Sequence, residues 1–143
     1  MSFTMANRGL YTLLNAAISG STDIRVAVFK GSAPAASAIK DYNFLSDVTG
    51  AMTEAAASGY SRADLAGVTL TENDGSDNVT LTATEPSWTS VAVGETWTAL
   101  AYYIEGASDA ARTLIGVDVP SATLVTNGGN VTGPALSITL AGS

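Results

Sequence analysis

The least polar stretch of the chain is residues 96–104, which read TWTALAYYI and contain no charged side chain. The stretch is rich in aromatic and β-branched residues and stops at Glu105-Gly106, which is typical of a β-strand. Because successive side chains of a strand point to opposite faces, the odd-numbered residues from Trp97 to Tyr103 are expected on one face and the even-numbered residues on the other. Both faces are apolar, so each must be covered, either by another part of this chain or by a neighbouring protein.

Several other segments alternate apolar and polar residues with the period of a strand. Residues 24–30 place Ile24, Val26 and Val28 on one side, which predicts a strand with one buried face. Residues 68–72 and 79–84 alternate apolar residues with threonine, and the turn-forming run NDGSDN between them predicts a β-hairpin. With further strands expected over 112–119 and 136–140, the pattern predicts a mainly β fold, either an antiparallel β-sandwich or a barrel-like sheet.

The N-terminal part shows a helical pattern instead. Apolar residues at positions 10, 13, 14, 17 and 18 share one face of a helix, Asn7 is suited to cap its start, and Gly20 is suited to end it. We expect one amphipathic helix here, an N-terminal arm over residues 1–9, and a single β-rich domain over residues 10–143. The first five residues lack the features of a signal peptide, so we expect synthesis in a cytoplasm.

Charged side chains are scarce, at 13 % of the chain against about 25 % in a typical soluble protein. The net charge is −7, and the six basic residues are scattered singly, which argues against binding to nucleic acid or to an anionic membrane surface. The absence of cysteine and histidine excludes disulfides, thiolate chemistry and a Ser-His-Asp triad. So weakly charged a surface suits a subunit packed against other proteins, and suits an ordinary Ala- and Thr-rich β domain equally well.

Few residues offer chemistry. Lys30 and Lys40 sit in no recognisable catalytic motif, and the glutamates lie mostly near predicted strand ends, so we expect no enzyme activity, no cofactor and no small-molecule substrate. Asp74, Asp77 and Asn78 supply oxygen ligands that could hold Ca²⁺ weakly, although a hairpin turn favours the same residue types for backbone reasons.

Two tryptophans allow a second interpretation. Trp88 and Trp97 could form a stacking platform for a sugar, but aromatic residues of this kind more often lie in a core or a protein interface.

A series of short motifs follows one order along the chain. In sequence they are IRVAVF at 24–29, FLSDV at 44–48, GYSR at 59–62, VTL at 68–70, Trp88, and ALAYYIE at 99–105. This series resembles the small virion structural proteins of tailed bacteriophages, of the capsid decoration or cement type. The acidic turn at 105–109 is longer than in that pattern, and the stretch after Val119 has no counterpart in it.

The resemblance implies a capsid decoration protein that binds the major capsid protein, stabilises the head, and resides on the capsid surface after synthesis in the bacterial host. It also implies association with copies of itself, expected as a homotrimer or similar cluster. A tail, neck or head-fibre component and a virion-surface carbohydrate-binding module are the alternatives. The candidate interface residues are Phe3, Met5, Tyr60, Arg62, Trp88, Trp97 and Tyr102.

Overall fold

The computed structural model describes residues 24–141 together with the single residue Asn15, and this part is mainly β-structure in antiparallel sheets. The predicted N-terminal arm lies outside the described residues, as does the predicted helix over residues 10–18 apart from Asn15. In chain order, the described elements are β1 (Ile24–Lys30), α1 (Ala36–Ile39), α2 (Leu45–Ala51), β2 (Thr53–Glu54), β3 (Ala63–Asp64), β4 (Thr69–Asn73), β5 (Asn78–Thr82), β6 (Ser87–Trp88), β7 (Thr96–Ile104), β8 (Leu114–Asp118), β9 (Leu124–Val125), β10 (Val131–Thr132) and β11 (Ser137–Ala141).

Three sheets share these strands. The largest runs in the order β2-β1-β7-β8, with β3 also paired to β1 and β9 also paired to β7. A second sheet has the order β11-β5-β4, and β6 pairs with β10 in a third. The β4–β5 hairpin predicted from the threonine-rich alternation is confirmed, with a single 3-10 turn at Asp74–Ser76 between its strands.

The central strand is buried on both of its faces, as its sequence predicts. On one face, apolar residues of β1 and β7 pack with Leu81, Val131 and Leu136 from the two smaller sheets. On the other face, Phe29, Ala101 and Tyr103 pack with Leu45 and Val48 of α2. The first contact gives the two layers of a β-sandwich-like fold, and the second shows that a helix of the same chain covers the outer face.

The register of β7 departs from simple alternation at its start. Phe29 pairs with Ala99 but Lys30 pairs with Trp97, so the register shifts by one residue at Thr98. A bulge of this kind interrupts the alternation of side chains, so residues on its two sides that would share a face in a regular strand point to opposite faces. Trp97 therefore lies in the core between the sheets, together with Leu100, and the expectation that it shares a face with Ala99 is wrong.

Two further expectations are corrected. The strand at 24–30 is buried on both faces, because Val26 and Val28 face the core between the sheets while Ala27 and Phe29 pack in the cluster under α2. The loop expected over residues 31–38 contains part of the short helix α1.

A tight approach between two loops fixes the position of Gly59. Its φ is +92°, and a Cβ atom placed there would lie 2.7 Å from the carbonyl oxygen of Ser90 and 3.0 Å from that of Thr89. Only glycine combines this conformation with this contact. Gly31 offers a matched comparison, since its φ is +98° but no atom lies within 4 Å of the equivalent Cβ position.

We expect Gly59→Ala to destabilise the protein more than Gly31→Ala. The left-handed backbone costs both variants about 1–2 kcal/mol, and the clash with fixed backbone atoms adds about 1–3 kcal/mol at position 59 alone. Urea denaturation of both variants and the parent protein measures the difference. Equal losses would show that the loop carrying Ser90 moves freely and that the close approach imposes nothing.

Candidate functional site

Three aromatic side chains that the sequence singled out meet between the sheets. The ring centroids of Trp88 and Trp97 are 5.2 Å apart, and Tyr60 lies 6.1 Å from the first and 5.6 Å from the second. The indole N–H of Trp88 donates to the carbonyl oxygen of Ser61 at 2.7 Å, and that of Trp97 donates to Glu95 Oε2 at 3.0 Å. Each indole is therefore held by ring contacts on its apolar part and by a hydrogen bond from its N–H group.

The burial of these residues corrects part of the predicted interface. Trp88, Trp97 and Tyr102 are all buried within the chain, because their side chains face the core between the sheets. The rings of the two tryptophans are closed to a partner and to a sugar, so neither a protein contact nor a stacking platform is built from them. Tyr60 is half-buried: its hydroxyl accepts from the amide of Val28 at 3.0 Å and donates to Glu54 at 2.9 Å.

Glu95 is a polar anchor at one end of the sandwich. Its carboxylate forms an ion pair with Lys30 and accepts from Trp97 and from the backbone amide of Ala56, at 3.1 Å and 3.2 Å for its two oxygens. Its own amide donates to the hydroxyl of the buried Thr126 at 2.9 Å. Burial alone would raise the pKa of Glu95, but the hydrogen bonds from Lys30, Trp97 and Ala56 outweigh it and lower the pKa to about 2.

A second set of charges lies beside Tyr103, and we call it the arginine cluster. It consists of Arg25, Glu54, Arg62, Asp64, Glu105, Asp109 and Arg112. Glu105 pairs with Arg25 and Arg112, both at 2.5 Å, while Asp109 pairs with Arg62 at 2.7 Å and Arg112 at 2.6 Å. The cluster thus joins β1, the loop after β2, and the turn after β7.

The arginines of the cluster favour the ionised forms of Glu105 and Asp109. Hydrogen bonds from Arg25 and Arg112 lower the pKa of Glu105 to about 2, and Arg62 and Arg112 hold the pKa of Asp109 below its usual value. The guanidinium carbons of Arg62 and Arg112 lie 6.0 Å and 5.9 Å from the Tyr103 ring centroid. These ion pairs link the segments of the chain that carry their members.

The cluster also positions the helix that covers the outer face of the sheet. The first amides of α2 donate into the turn after β7, Leu45 to the carbonyl of Arg112 at 2.9 Å and Ser46 to that of Asp109 at 3.0 Å. Asp47 accepts from the amide of Phe44 at 3.0 Å, which caps the helix, and this bond lowers the pKa of Asp47. The start of α2 is therefore fixed by the same residues that the arginines hold.

The turn between β4 and β5 behaves as a hairpin turn. The side-chain amide of Asn73 donates to Asn78 Oδ1 at 2.9 Å, and Asp77 has a left-handed φ of 50°. Within residues 24–141, no group of three or more acidic side chains comes together in a way that could hold a metal ion. The turn geometry thus accounts for these residue types.

A groove opens between the edges of two sheets. It is lined by Tyr102 together with residues 115–118 of β8 and residues 135–138 leading into β11, and its volume is about 280 Å³. The hydroxyl of Tyr102 is 3.4 Å from the carbonyl oxygen of Pro134. Asp118 is the only charged residue in the lining.

Two segments of the chain lack charge. Residues 86–94 and 119–143 contain no charged side chain. Of the five large apolar residues exposed among the described residues, all but Phe44 belong to these two segments, namely Val93, Val119, Val125 and Leu140. By contrast, Arg62 of the predicted interface is bound in the arginine cluster, and Phe3 and Met5 lie outside the described residues.

Comparisons with other proteins identify no relative. No protein-family model, no curated protein and no solved structure matches the chain. In the described part of the chain, no helix is both long enough and apolar enough to cross a membrane.

The sequence interpretation missed Glu95 and the arginine cluster. One signal for the cluster was present, since Arg25 interrupts an apolar strand and a cation in such a place needs a carboxylate partner. The identity of that partner was not readable, because Glu105 is separated from Arg25 by 80 positions.

We expect acid to destabilise the protein in a defined range. The pKa of Glu95 and of Glu105 is lowered from 4.5 to about 2, so their ionised forms stabilise the fold above about pH 4.5, and this contribution is lost as the pH falls from 4.5 towards 2. Glu95→Gln should lower the free energy of unfolding at pH 7 by about 2–3 kcal/mol and make the acid dependence shallower. Urea denaturation at stepwise lower pH measures both quantities.

Glu85→Gln is the control for that experiment. Glu85 is exposed, so its replacement should change stability by no more than about 0.5 kcal/mol. An acid dependence that is as steep in Glu95→Gln as in the parent protein would contradict the role given to Glu95.

Proposed function

We propose that the chain is a structural protein of a bacteriophage virion, most simply a capsid decoration protein that binds the major capsid protein and stabilises the head. The observation that carries the proposal is the uneven distribution of charge. Ion pairs hold the loops around Glu95 and the arginine cluster, while the segments 86–94 and 119–143 offer exposed apolar residues without charge. The central parts of protein interfaces are depleted of charge in the same way.

The sequence order of motifs supports the phage assignment, and the physical properties suit the role. A decoration protein binds at many equivalent positions on a symmetric shell, so weak contacts repeated by symmetry replace a single strong site. Threonine and serine side chains at 69, 71, 82, 137 and 139 are exposed on the β4–β5–β11 sheet and can supply hydrogen bonds to such a partner. The N-terminal arm and helix belong to the proposal as further contacts with neighbouring subunits.

A tail, neck or head-fibre role remains the alternative within the same class, since it would use the same surface. The carbohydrate-binding alternative relied on Trp88 and Trp97 as a stacking platform, and both are buried. Assembly with copies of itself is part of the proposal.

We expect the chain to be present in purified particles of the phage that encodes it, in a copy number near that of the major capsid protein. Quantitative mass spectrometry of intact particles measures this ratio, with the major capsid protein as internal reference. A few to some tens of copies would assign the chain to the tail or neck instead. Complete absence from particles would overturn the proposal.

A further inference from the structure

Among the described strands, β11 has one edge that no other strand pairs with, and this edge lacks the usual protection. The strand pairs with β5 in an unbroken register from Ser137 to Ala141, and no strand pairs with its other side within residues 24–141. Natural edge strands are normally blocked by a charged residue, a proline or a bulge, because an open edge recruits other strands. The sequence of β11, SITLA, contains no charge and no proline, and its register contains no bulge.

The backbone of this edge is oriented to bind another strand. The carbonyl of Leu136 accepts from the amide of Ala83 at 3.0 Å, so the polar backbone groups of Leu136 face β5. Backbone groups alternate in direction along an antiparallel strand, and those of Ser137 and Thr139 therefore face away from β5. A second strand placed there would pair with them.

The groove beside β11 offers room for the side chains of such a strand. Its lining includes the apolar residues Tyr102, Ile115, Leu136 and Ile138, which also belong to the core between the sheets. At about 280 Å³ it is slightly smaller than the roughly 300–1,000 Å³ of pockets that enclose small molecules, and it lies open along strand edges. Alternate side chains of an added strand would cover it from the side of β11.

The distribution of acidic residues indicates which partner can pair with β11. A chain of net charge −7 repels its own copies, so copies can meet closely only where acidic side chains are missing. Among the described outer strands that are five residues long, β4 carries Glu72 and β8 carries Asp118, whereas β11 carries no acid. Pairing of β11 with the same strand of a second copy therefore places no carboxylate in either of the paired strands, and Asp118 is the charged residue in the lining of the groove beside them.

We propose that two copies of the chain pair antiparallel through β11 around a two-fold axis. The three strands β4, β5 and β11 of each copy then form one six-stranded sheet, and the partner strand covers the groove and Leu140, which is 37 % exposed in the single chain. The inference shares with the proposed function only the premise that the chain assembles with itself. It departs from the trimer implied by the resemblance, because pairing of like strands gives two copies.

The first test compares two substitutions that change charge equally. Leu140→Lys places a positive charge on β11, where the partner strand would lie. Val93→Lys adds the same charge outside β11, at a valine that is 70 % exposed. Molar mass is measured by analytical ultracentrifugation across a concentration series. We expect a dimer for the parent protein and for Val93→Lys, and at least a tenfold weaker dimer for Leu140→Lys. Thermal unfolding confirms that both variants are folded.

The second test uses the absence of native cysteine. When a strand pairs antiparallel with its own copy, one residue lies directly opposite itself, at a Cα separation of about 4.5–5.5 Å that a disulfide can span. Single cysteines are placed in turn at 137, 138, 139 and 140, with Ser76 in the exposed β4–β5 turn as control. Under mild oxidation we expect rapid cross-linking of two chains at one of the four positions and none at Ser76.

The outcomes separate the two proposals. A dimer that is unaffected by Leu140→Lys, or one that cross-links at none of the four positions, would overturn the β11 contact and leave the virion assignment standing. A parent chain that stays monomeric at all concentrations, as it would if residues 1–23 of the same chain covered β11, would also overturn it. Absence from virions together with a β11-linked dimer would overturn the virion role alone.

Discussion

The whole arrangement depends on a pair of adjacent strands that must be kept from water on both sides. β1 and β7 pair along their full length, and side chains from both faces of each strand are buried. Each fully buried large apolar side chain contributes about 1.5–3 kcal/mol relative to an exposed one, so neither face can be left open. A second sheet covers one face and the short helix α2 covers the other. The rest of the chain follows from the need to hold these two covers in place.

The few charged residues of the chain help to hold the second sheet and α2 against the central strands. α2 is only seven residues long and could not remain folded by itself. Its first amides bind the turn after β7, and the arginine cluster fixes that turn to β1 and to the loop after β2. At the other end, Glu95 joins Lys30, the loop at Ala56 and the strand start at Trp97. Half-buried pairs of this kind are less screened by water and salt than surface pairs, so each one restrains a loop effectively.

The sequence predicts those features of the fold that depend on local pattern. The threonine alternation of the β4–β5 hairpin and the two apolar faces of β7 were readable because side-chain period and turn residues report them directly. The placement of Trp97 was not, since the bulge at Thr98 exists only through pairing with β1. The same limit applies to the candidate site. The two tryptophans were expected in a core or in a protein interface, but only the folded chain shows that they pack inside it and that Arg25 meets Glu105.

Ion pairing within the chain limits the charge that its surface can offer to a partner. Arg25, Lys30, Arg62 and Arg112 are all engaged with carboxylates of the same chain, which leaves none of these four cations free to attract a partner. Residues 119–143 contain no charged side chain, and they contribute the exposed side chains of Val119, Val125 and Leu140. A partner must therefore be recognised by shape, backbone hydrogen bonds and apolar contact. Such contacts are weak singly and add up when geometry repeats them, which is the physical reason why a chain built this way suits an assembly.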